Sequence, residues 1–192
     1  MRTWLLILCF SFFILLQACD IFESREPENP NEAKSSYRVP VEPTDVIENL
    51  KNTFKDKNSN DYKKNFSSGA PLVDRNFYFI PSSNDLNINP ADWTVAQEFQ
   101  YFNNLVIKVP QDIPMTLTFL DEQYDLQADS AIYAAKYLIS VPVLNSVPIN
   151  YEGNLRFFMV TDRNAAWVIY FWEDIASQGL KSWSNLKSEY AP

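Results

Sequence analysis

Apolar residues recur along this chain at two different spacings, and the spacing changes near residue 115. Before that point they return every three or four positions, which is typical of helices that bury one face. The first run predicts a helix from about Thr44, and the spacing of Asp45 and Glu48 is that of a capping box at its start. The apolar face of this helix consists of Val46, Ile47, Leu50 and Phe54.

Two further helices are predicted before residue 115. Tyr62 and Phe66, four positions apart, share one face of a short helix that ends at the turn residues 69–71 (Gly-Ala-Pro). A longer helix is predicted from Asn89, because a polar capping residue there precedes Pro90, a residue favoured in the first helical turn. The apolar side of this longer helix consists of Trp93, Ala96, Phe99, Phe102 and Val106.

From Met115 onward the apolar residues alternate with polar ones and are enriched in β-branched and aromatic types, which indicates strands. Long strands are predicted at 115–121, 131–143, 149–161 and 165–173. A short strand is predicted at 77–80 and a short helix at 183–186. Helices followed by a run of antiparallel strands predict an α+β fold, in which a curved antiparallel sheet wraps the N-terminal helices.

The polar residues of the strands indicate which face is buried. Lys136 and Ser140 mark the solvent face of the second long strand, and Arg156 marks that of the third. The residues then predicted to point inward are Tyr133, Ala135, Tyr137, Ile139, Val141, Leu155, Phe157 and Met159. The last strand, 165–174 (AAWVIYFWED), is apolar on both faces, so it is either central or covered by another subunit. The second option is a homodimer formed through the sheet.

The composition excludes several classes of enzyme. The 192 residues include no histidine, so histidine-based nucleophile systems and zinc sites are ruled out. The three glycines are too far apart for a dinucleotide-binding or phosphate-binding loop. The net charge of −8 disfavours nucleic acid as a partner.

No metal site or cofactor is predicted. The segment 56–60 (DKNSN) has the opening pattern of a calcium loop, but its sixth position is Asp61 instead of Gly, and its twelfth is Ser67 instead of Glu. These two departures remove the sharp turn and the bidentate ligand. A polar connection between two helices explains the segment better.

The first nineteen residues have the layout of an export signal. Arg2 is followed by an apolar stretch of thirteen residues at 4–16, interrupted only by Ser11, and the small residue Ala18 follows it. A helix of this length would span about 20 Å, less than the roughly 30 Å of a bilayer core, so a permanent membrane span is the weaker interpretation. Both cysteines of the chain, Cys9 and Cys19, lie in this segment.

Residues 16–19 (LQAC) resemble the lipobox of bacterial lipoproteins, with Gln17 as a less usual occupant of its position. The resemblance implies that the Cys19 thiol receives a diacylglycerol, that residues 1–18 are removed, and that the new amino group receives an acyl chain such as palmitate. The alternative is an ordinary cleaved signal with an incidental cysteine. Residues 19–43 are predicted as the lipidated cysteine and a disordered tether, because prolines and glutamates dominate there. Residues 44–192 are predicted as one domain.

The order of elements resembles the nuclear transport factor 2-like, or cystatin-like, superfamily. The residues that prompt this are Asn49, Leu50, Tyr62, Phe66, Trp93, Glu98 and the segment 167–174. The resemblance covers 44–187, and another small antiparallel α+β sandwich is the alternative. It implies a cone-shaped fold with a pocket between the concave face of the sheet and the helices. Members use this pocket for isomerisation, dehydration, or binding without chemistry.

Two carboxylates are candidates for catalysis in such a pocket. Asp121 shares an alternating register with Phe119 and would reach the rim of the interior, although it could instead open a solvated turn at 121–125. Glu98 lies on the predicted long helix. The aromatic residues that could line the pocket, or could equally fill the core, are Tyr78, Trp93, Tyr133, Tyr137, Phe157 and Trp172.

We therefore expect a lipid-anchored protein of the bacterial cell envelope that acts as a non-catalytic binding or assembly module. Its partners would be the membrane, through the anchor, and a small apolar ligand or another envelope protein. The alternative is a cofactor-free isomerase, dehydratase or hydrolase that uses a pocket carboxylate. The sequence leaves open which membrane holds the protein.

Overall fold

The computed structural model describes residues 35–82 and 88–192. The predicted signal, Cys19 and the tether up to residue 34 therefore lie outside the described residues. Lys34–Pro192 form one compact unit with its own hydrophobic core. A unit of this kind can fold without the residues that precede it. No helix in the described ranges is both long and apolar enough to cross a bilayer.

Helix α1 (Pro43–Asp56) begins close to its predicted start, with a different cap. Asp45 occupies the third helical position and accepts a hydrogen bond from the backbone N–H of Glu42 at 3.0 Å. Glu48, which was expected to complete a capping box, instead forms an exposed ion pair with Lys51. The apolar face predicted for α1 is buried in full.

Helix α2 (Ser59–Lys63) is shorter than predicted. The chain leaves the helix before Phe66, which forms a parallel bridge to Ile169 at the sheet. The backbone N–H of Ile169 donates to the carbonyl of Asn65, and the N–H of Ser67 donates to the carbonyl of Ile169. Phe66 thus packs against the sheet, because backbone pairing with the sheet replaces another helical turn.

The N-cap of helix α3 (Val95–Lys108) is five residues after the cap predicted at Asn89. Thr94 is its N-cap, and its hydroxyl accepts a hydrogen bond from the N–H of Ala96 at 3.2 Å. Trp93 therefore precedes the helix, and the buried stripe is rotated relative to the prediction. The residues buried on α3 are Glu98, Tyr101, Phe102 and Leu105, while Ala96 is exposed.

The sheet has the order β1-β5-β4-β3-β2. Its strands are β1 (Tyr78–Ile80), β2 (Thr116–Leu126), β3 (Ser130–Val141), β4 (Ile149–Thr161) and β5 (Trp167–Ala176). The four long strands pair antiparallel as predicted, but β1 joins the edge of β5 in parallel. The strand that is apolar on both faces, β5, is thus an inner strand of the sheet.

Helices α1 and α4 (Trp183–Tyr190) pack on one face of this sheet, with α2 and α3 beside them. All eight strand residues predicted to point inward are buried. Alternation along a strand between the core and solvent explains this agreement.

The segment 35–42, predicted as part of the tether, is held against the domain. The carbonyl of Pro40 accepts a hydrogen bond from the N–H of Trp167 at 2.9 Å. Asn49 of α1 accepts from the N–H of Arg38 and donates to its carbonyl. The predicted boundary at residue 44 therefore lies too late, since these backbone groups pair with the domain without needing apolar side chains.

Candidate functional site

Five of the six predicted pocket aromatics meet in the interior. Trp93, Tyr133, Tyr137, Phe157 and Trp172 are all buried and belong to the core cluster. Tyr78 does not join them. It lies on the opposite face of the sheet, is 42% exposed, and stacks on Phe171 with ring centroids 5.8 Å apart. The prediction that Tyr78 lines the interior is wrong, because Phe79 and not Tyr78 takes the inward register of β1.

Asp121 is also outside the interior. A β-bulge between Leu120 and Gln123 interrupts the alternation of β2, and Asp121 adopts a positive φ of 53° there. Its side chain is 66% exposed and forms an ion pair with Lys136 at 2.7 Å. β2 continues to Leu126, so Asp121 neither reaches the rim of the core nor opens a hairpin turn.

Glu98 is the predicted carboxylate that does lie in the interior. It sits in the first turn of α3, where the helix dipole favours a negative charge, and it is fully buried. Its Oε1 accepts a hydrogen bond from the Tyr62 hydroxyl at 2.6 Å. Its Oε2 accepts from Trp93 Nε1 at 2.7 Å and from Lys187 Nζ at 2.5 Å. Both carboxylate oxygens are thus engaged by protein donors.

Lys187 of α4 completes this cluster and was not predicted. It is fully buried, and its Nζ lies 3.4 Å from the ring centroid of Trp172 and 3.6 Å from that of Phe79. Burial lowers the pKa of Lys187 to about 8, although the charge of Glu98 acts in the opposite direction. One feature of the sequence indicates the burial of Lys187: it follows the buried Trp183 by four positions and therefore lies on the same helical face.

A second buried carboxylate, Asp174 of β5, was likewise not singled out from the sequence. Its Oδ1 accepts from the Tyr137 hydroxyl at 2.7 Å. Its Oδ2 accepts from the backbone N–H and the hydroxyl of Ser184, at 2.8 and 2.5 Å. The Tyr137 oxygen in turn accepts from the N–H of Trp183 at 2.7 Å. Tyr137 and Asp174 therefore bind backbone N–H groups at the start of α4 that have no partner within the helix.

The tyrosines around these carboxylates are held in the neutral, donating form. Burial, and then the charge of Glu98, raises the pKa of Tyr62 well above its usual value. Burial and the charge of Asp174 do the same for Tyr137. A neutral phenol donates to a carboxylate and does not act as a base at physiological pH. The arrangement therefore stabilises buried negative charge and attaches α4 to the sheet.

Two open grooves lie on the surface, away from this cluster. One, of about 640 Å³, lies on the outer face of the sheet beside the bulge of β2, and Asp121, Lys136 and Arg156 are among its lining residues. The other, of about 630 Å³, lies between the end of α3 and the β3–β4 connection. Neither is lined by Glu98 or Asp174. Within the described ranges, no group of three or more acidic or cysteine side chains has the arrangement of a metal site.

No family model matches the sequence. No curated protein resembles it in sequence either. The fold, in contrast, is similar to that of many solved structures.

A candidate aromatic ring hydroxylase from Novosphingobium aromaticivorans aligns over 74% of this chain and 92% of its own, with 10% identity and a TM-score of 0.57. A nuclear transport factor 2-like superfamily protein from Salmonella enterica aligns over 71% and 90%, with 13% identity and a TM-score of 0.52. A protein of unknown function with a cystatin-like fold from Nostoc punctiforme aligns over 71% and 90%, with 8% identity and a TM-score of 0.51. At such identities the similarity concerns the fold alone. The described domain therefore has the α+β fold of the nuclear transport factor 2-like and cystatin-like proteins.

Proposed function

We propose that this protein is a lipid-anchored assembly module of the bacterial cell envelope, which acts without catalysis. It pairs with a second copy of itself through the outer face of its sheet. The observation that carries the pairing is an aromatic strip on that face. It consists of Tyr78, Phe171, Phe158 and Tyr170. Successive ring centroids along it are 5.8, 5.0 and 6.5 Å apart.

The composition of the strip supports contact with another protein. Its rings are at least partly exposed, and the guanidinium of Arg75 lies 4.6 Å from the ring centroid of Tyr170. Aromatic residues and arginine are enriched at protein interfaces, where they supply large contact area at low entropic cost. The helices cover the other face of the sheet, so this face is the one available for pairing.

The charges beside the strip favour a second copy as the partner. Arg156 and Glu173 lie 3.6 Å apart on the outer face, and Lys136 and Asp121 form a second pair close by. A two-fold interface brings one patch against an identical patch. A patch that carries both signs can then place its cations opposite the anions of its copy, which offsets the repulsion between two chains of net charge −8.

The hydrogen bonding of the buried carboxylates supports a role without catalysis. Glu98 and Asp174 accept hydrogen bonds from protein donors at both oxygens. A general base needs a lone pair within reach of a substrate proton. The enzyme alternative would require these contacts to break before each turnover.

We expect the domain to be dimeric at about 100 μM, a concentration well above the micromolar Kd of many standard interfaces. Tyr78→Glu places a charge at one end of the strip, on the edge strand β1, and should raise the Kd for dimerisation at least tenfold, because the interface would bury an unpaired charge. Light scattering after gel filtration measures the mass directly. The matched control is Ile107→Glu, which alters an apolar residue of α3 that is 69% exposed, and should leave the dimer unchanged. A monomer at this concentration would contradict the pairing.

The anchor is tested in the full chain expressed in a bacterium. The wild type should fractionate with membranes and carry the mass of attached lipid, whereas Cys19→Ser should be released into the soluble fraction or remain unprocessed. Cys9→Ser removes the other cysteine and should behave as the wild type does. If Cys19→Ser fractionates unchanged and the wild type carries no lipid mass, the chain is not a lipoprotein.

A further inference from the structure

The ammonium group of Lys187 is held in the way that proteins hold an ammonium ligand. It contacts the Glu98 carboxylate at 2.5 Å and the faces of Trp172 and Phe79 at 3.4 and 3.6 Å from their centroids. Two further rings, Trp93 and Tyr101, lie 5.4 and 5.7 Å away. Aromatic faces within about 6 Å attract a cation through the ring quadrupole, most strongly where water is excluded. We call Glu98, Phe79 and Trp172 the ammonium cage.

The three residues of the cage lie outside α4, although Trp183 of α4 packs against Trp172 with ring centroids 4.6 Å apart. Glu98 belongs to α3, Phe79 to β1 and Trp172 to β5. Tyr62 and Trp93 fix the carboxylate of Glu98, and both lie outside α4 as well. A site whose walls are positioned before the ligand arrives loses little entropy on binding. Lys187 therefore occupies a preorganised site.

Lys187 is also placed where it can be withdrawn. The first turn of α4 is attached to the sheet through Tyr137 and Asp174. Lys187 lies in the last turn, where helices fray most easily. That turn is held by hydrogen bonds from Asn104 to the carbonyl of Tyr190 and from Tyr151 and Lys181 to the carboxylate of Glu189. Unwinding this turn would empty the cage and leave the rest of the domain in place.

We propose that Glu98, Phe79 and Trp172 form a binding site for an unbranched alkylammonium ligand, and that Lys187 is an internal ligand that occupies this site until an external amine replaces it. The site lies on the helical side of the sheet and is independent of the pairing proposed above. It needs no chemical step, since binding exchanges one ammonium for another.

The first test uses the domain with Lys187→Ala. This change leaves Cβ and removes three carbons and the ammonium, which together correspond to n-propylammonium. At about ten times its Kd, n-propylammonium should raise the melting temperature by about 3–6 °C, because it binds only the folded state. If the variant does not fold alone, the amine should restore its folded circular dichroism by the same linkage.

Three controls make this test specific. 1-Propanol has a similar size without charge, and sodium chloride matches the ionic strength, so neither should reproduce the effect of the amine. The double variant Lys187→Ala with Glu98→Gln removes the charge of the carboxylate. It should need an amine concentration at least ten times higher for the same rise in melting temperature. An equal response to 1-propanol, or an unchanged response in the double variant, would overturn the ammonium site.

The second test uses the wild type and separates an internal ligand from a purely structural lysine. At about one hundred times the Kd measured in Lys187→Ala, the amine should accelerate hydrogen exchange in the last turn of α4, since it competes for the cage. Exchange in β2, at the opposite edge of the sheet from β1, should stay unchanged. If the last turn of α4 exchanges no faster, external amines do not replace Lys187 and the proposal fails.

Discussion

Lys187→Met is expected to lower the free energy of unfolding by about 3–5 kcal/mol, the range measured when one partner of a buried ion pair is removed. Methionine matches the length of the lysine stem, so the change removes the charge and creates little empty volume. The buried carboxylate of Glu98 then loses the cation 2.5 Å away. Denaturant titration monitored by tryptophan fluorescence measures the loss.

The matched control for this prediction is Lys181→Met. Lys181 also pairs with a glutamate, Glu189, at 2.7 Å, but the two side chains are 53% and 37% exposed. Solvent screens such a pair, and its loss should change stability by no more than about 1 kcal/mol. Adding Glu98→Gln to Lys187→Met should recover part of the lost stability, since the unpaired charge is removed. Equal effects of Lys187→Met and Lys181→Met would contradict the buried pair.

The stability difference between the wild type and Lys187→Met also depends on pH. Burial lowers the pKa of Lys187 to about 8, while in the unfolded chain it has the ordinary value of 10.5. Between these two values the unfolded state binds more protons than the folded state, so the contribution of Lys187 to stability rises with pH. The difference should therefore grow from pH 8 towards pH 10. A difference that shrinks over this range would show that the charge of Glu98 outweighs burial and that the pKa of Lys187 is not lowered.

Asp174→Ala is expected to lower the free energy of unfolding by about 3–5 kcal/mol, because three donors lose a charged acceptor in the interior. These donors are the Tyr137 hydroxyl and both the backbone N–H and the hydroxyl of Ser184. The loss should be concentrated at α4, whose first turn this carboxylate holds to the sheet. Hydrogen exchange should therefore detect weaker protection in α4 than in β3 and β4.

The neighbouring residue provides the control for Asp174. Glu173 points to the outer face, its side chain is 33% exposed, and it pairs with Arg156 at 3.6 Å. Glu173→Ala should change stability by no more than about 1 kcal/mol, as is usual for an exposed pair. If the two alanine variants lose similar stability, the carboxylate of Asp174 does not hold α4 in the way its hydrogen bonds indicate.

The strands were the most accurately predicted elements. β4 was predicted at 149–161 and has those bounds, because alternation continues along it and glycine and asparagine do not interrupt its pairing. The start of α3 was displaced because a proline in a turn and a proline in a first helical turn share the same φ. Thr94 and Gln97, which form the actual capping box, were the better signal.

Asp121 shows why a prediction of buried residues from alternation fails at a β-bulge. Period-two alternation assumes continuous pairing, whereas a bulge shifts every later residue of the strand to the opposite face. The bulge in β2 moved Asp121 to solvent, and its charge pairs there with Lys136. Nothing local in the segment around Asp121 distinguishes a bulge from a turn, since both use residues that tolerate positive φ.

The sequence by itself determined the class of the fold, the inward residues of β3 and β4 and the lack of histidine chemistry, because these depend on composition and on short-range periodicity. It also contains the basis for the predicted lipid anchor. Only the tertiary structure decided which polar residues meet. Glu98 and Lys187 are 89 positions apart, and Tyr137 and Asp174 are 37 apart, so no local pattern relates them. Such pairs form because burial in a common core removes their charges from water, and each charge then requires a partner that only the folded chain brings within reach.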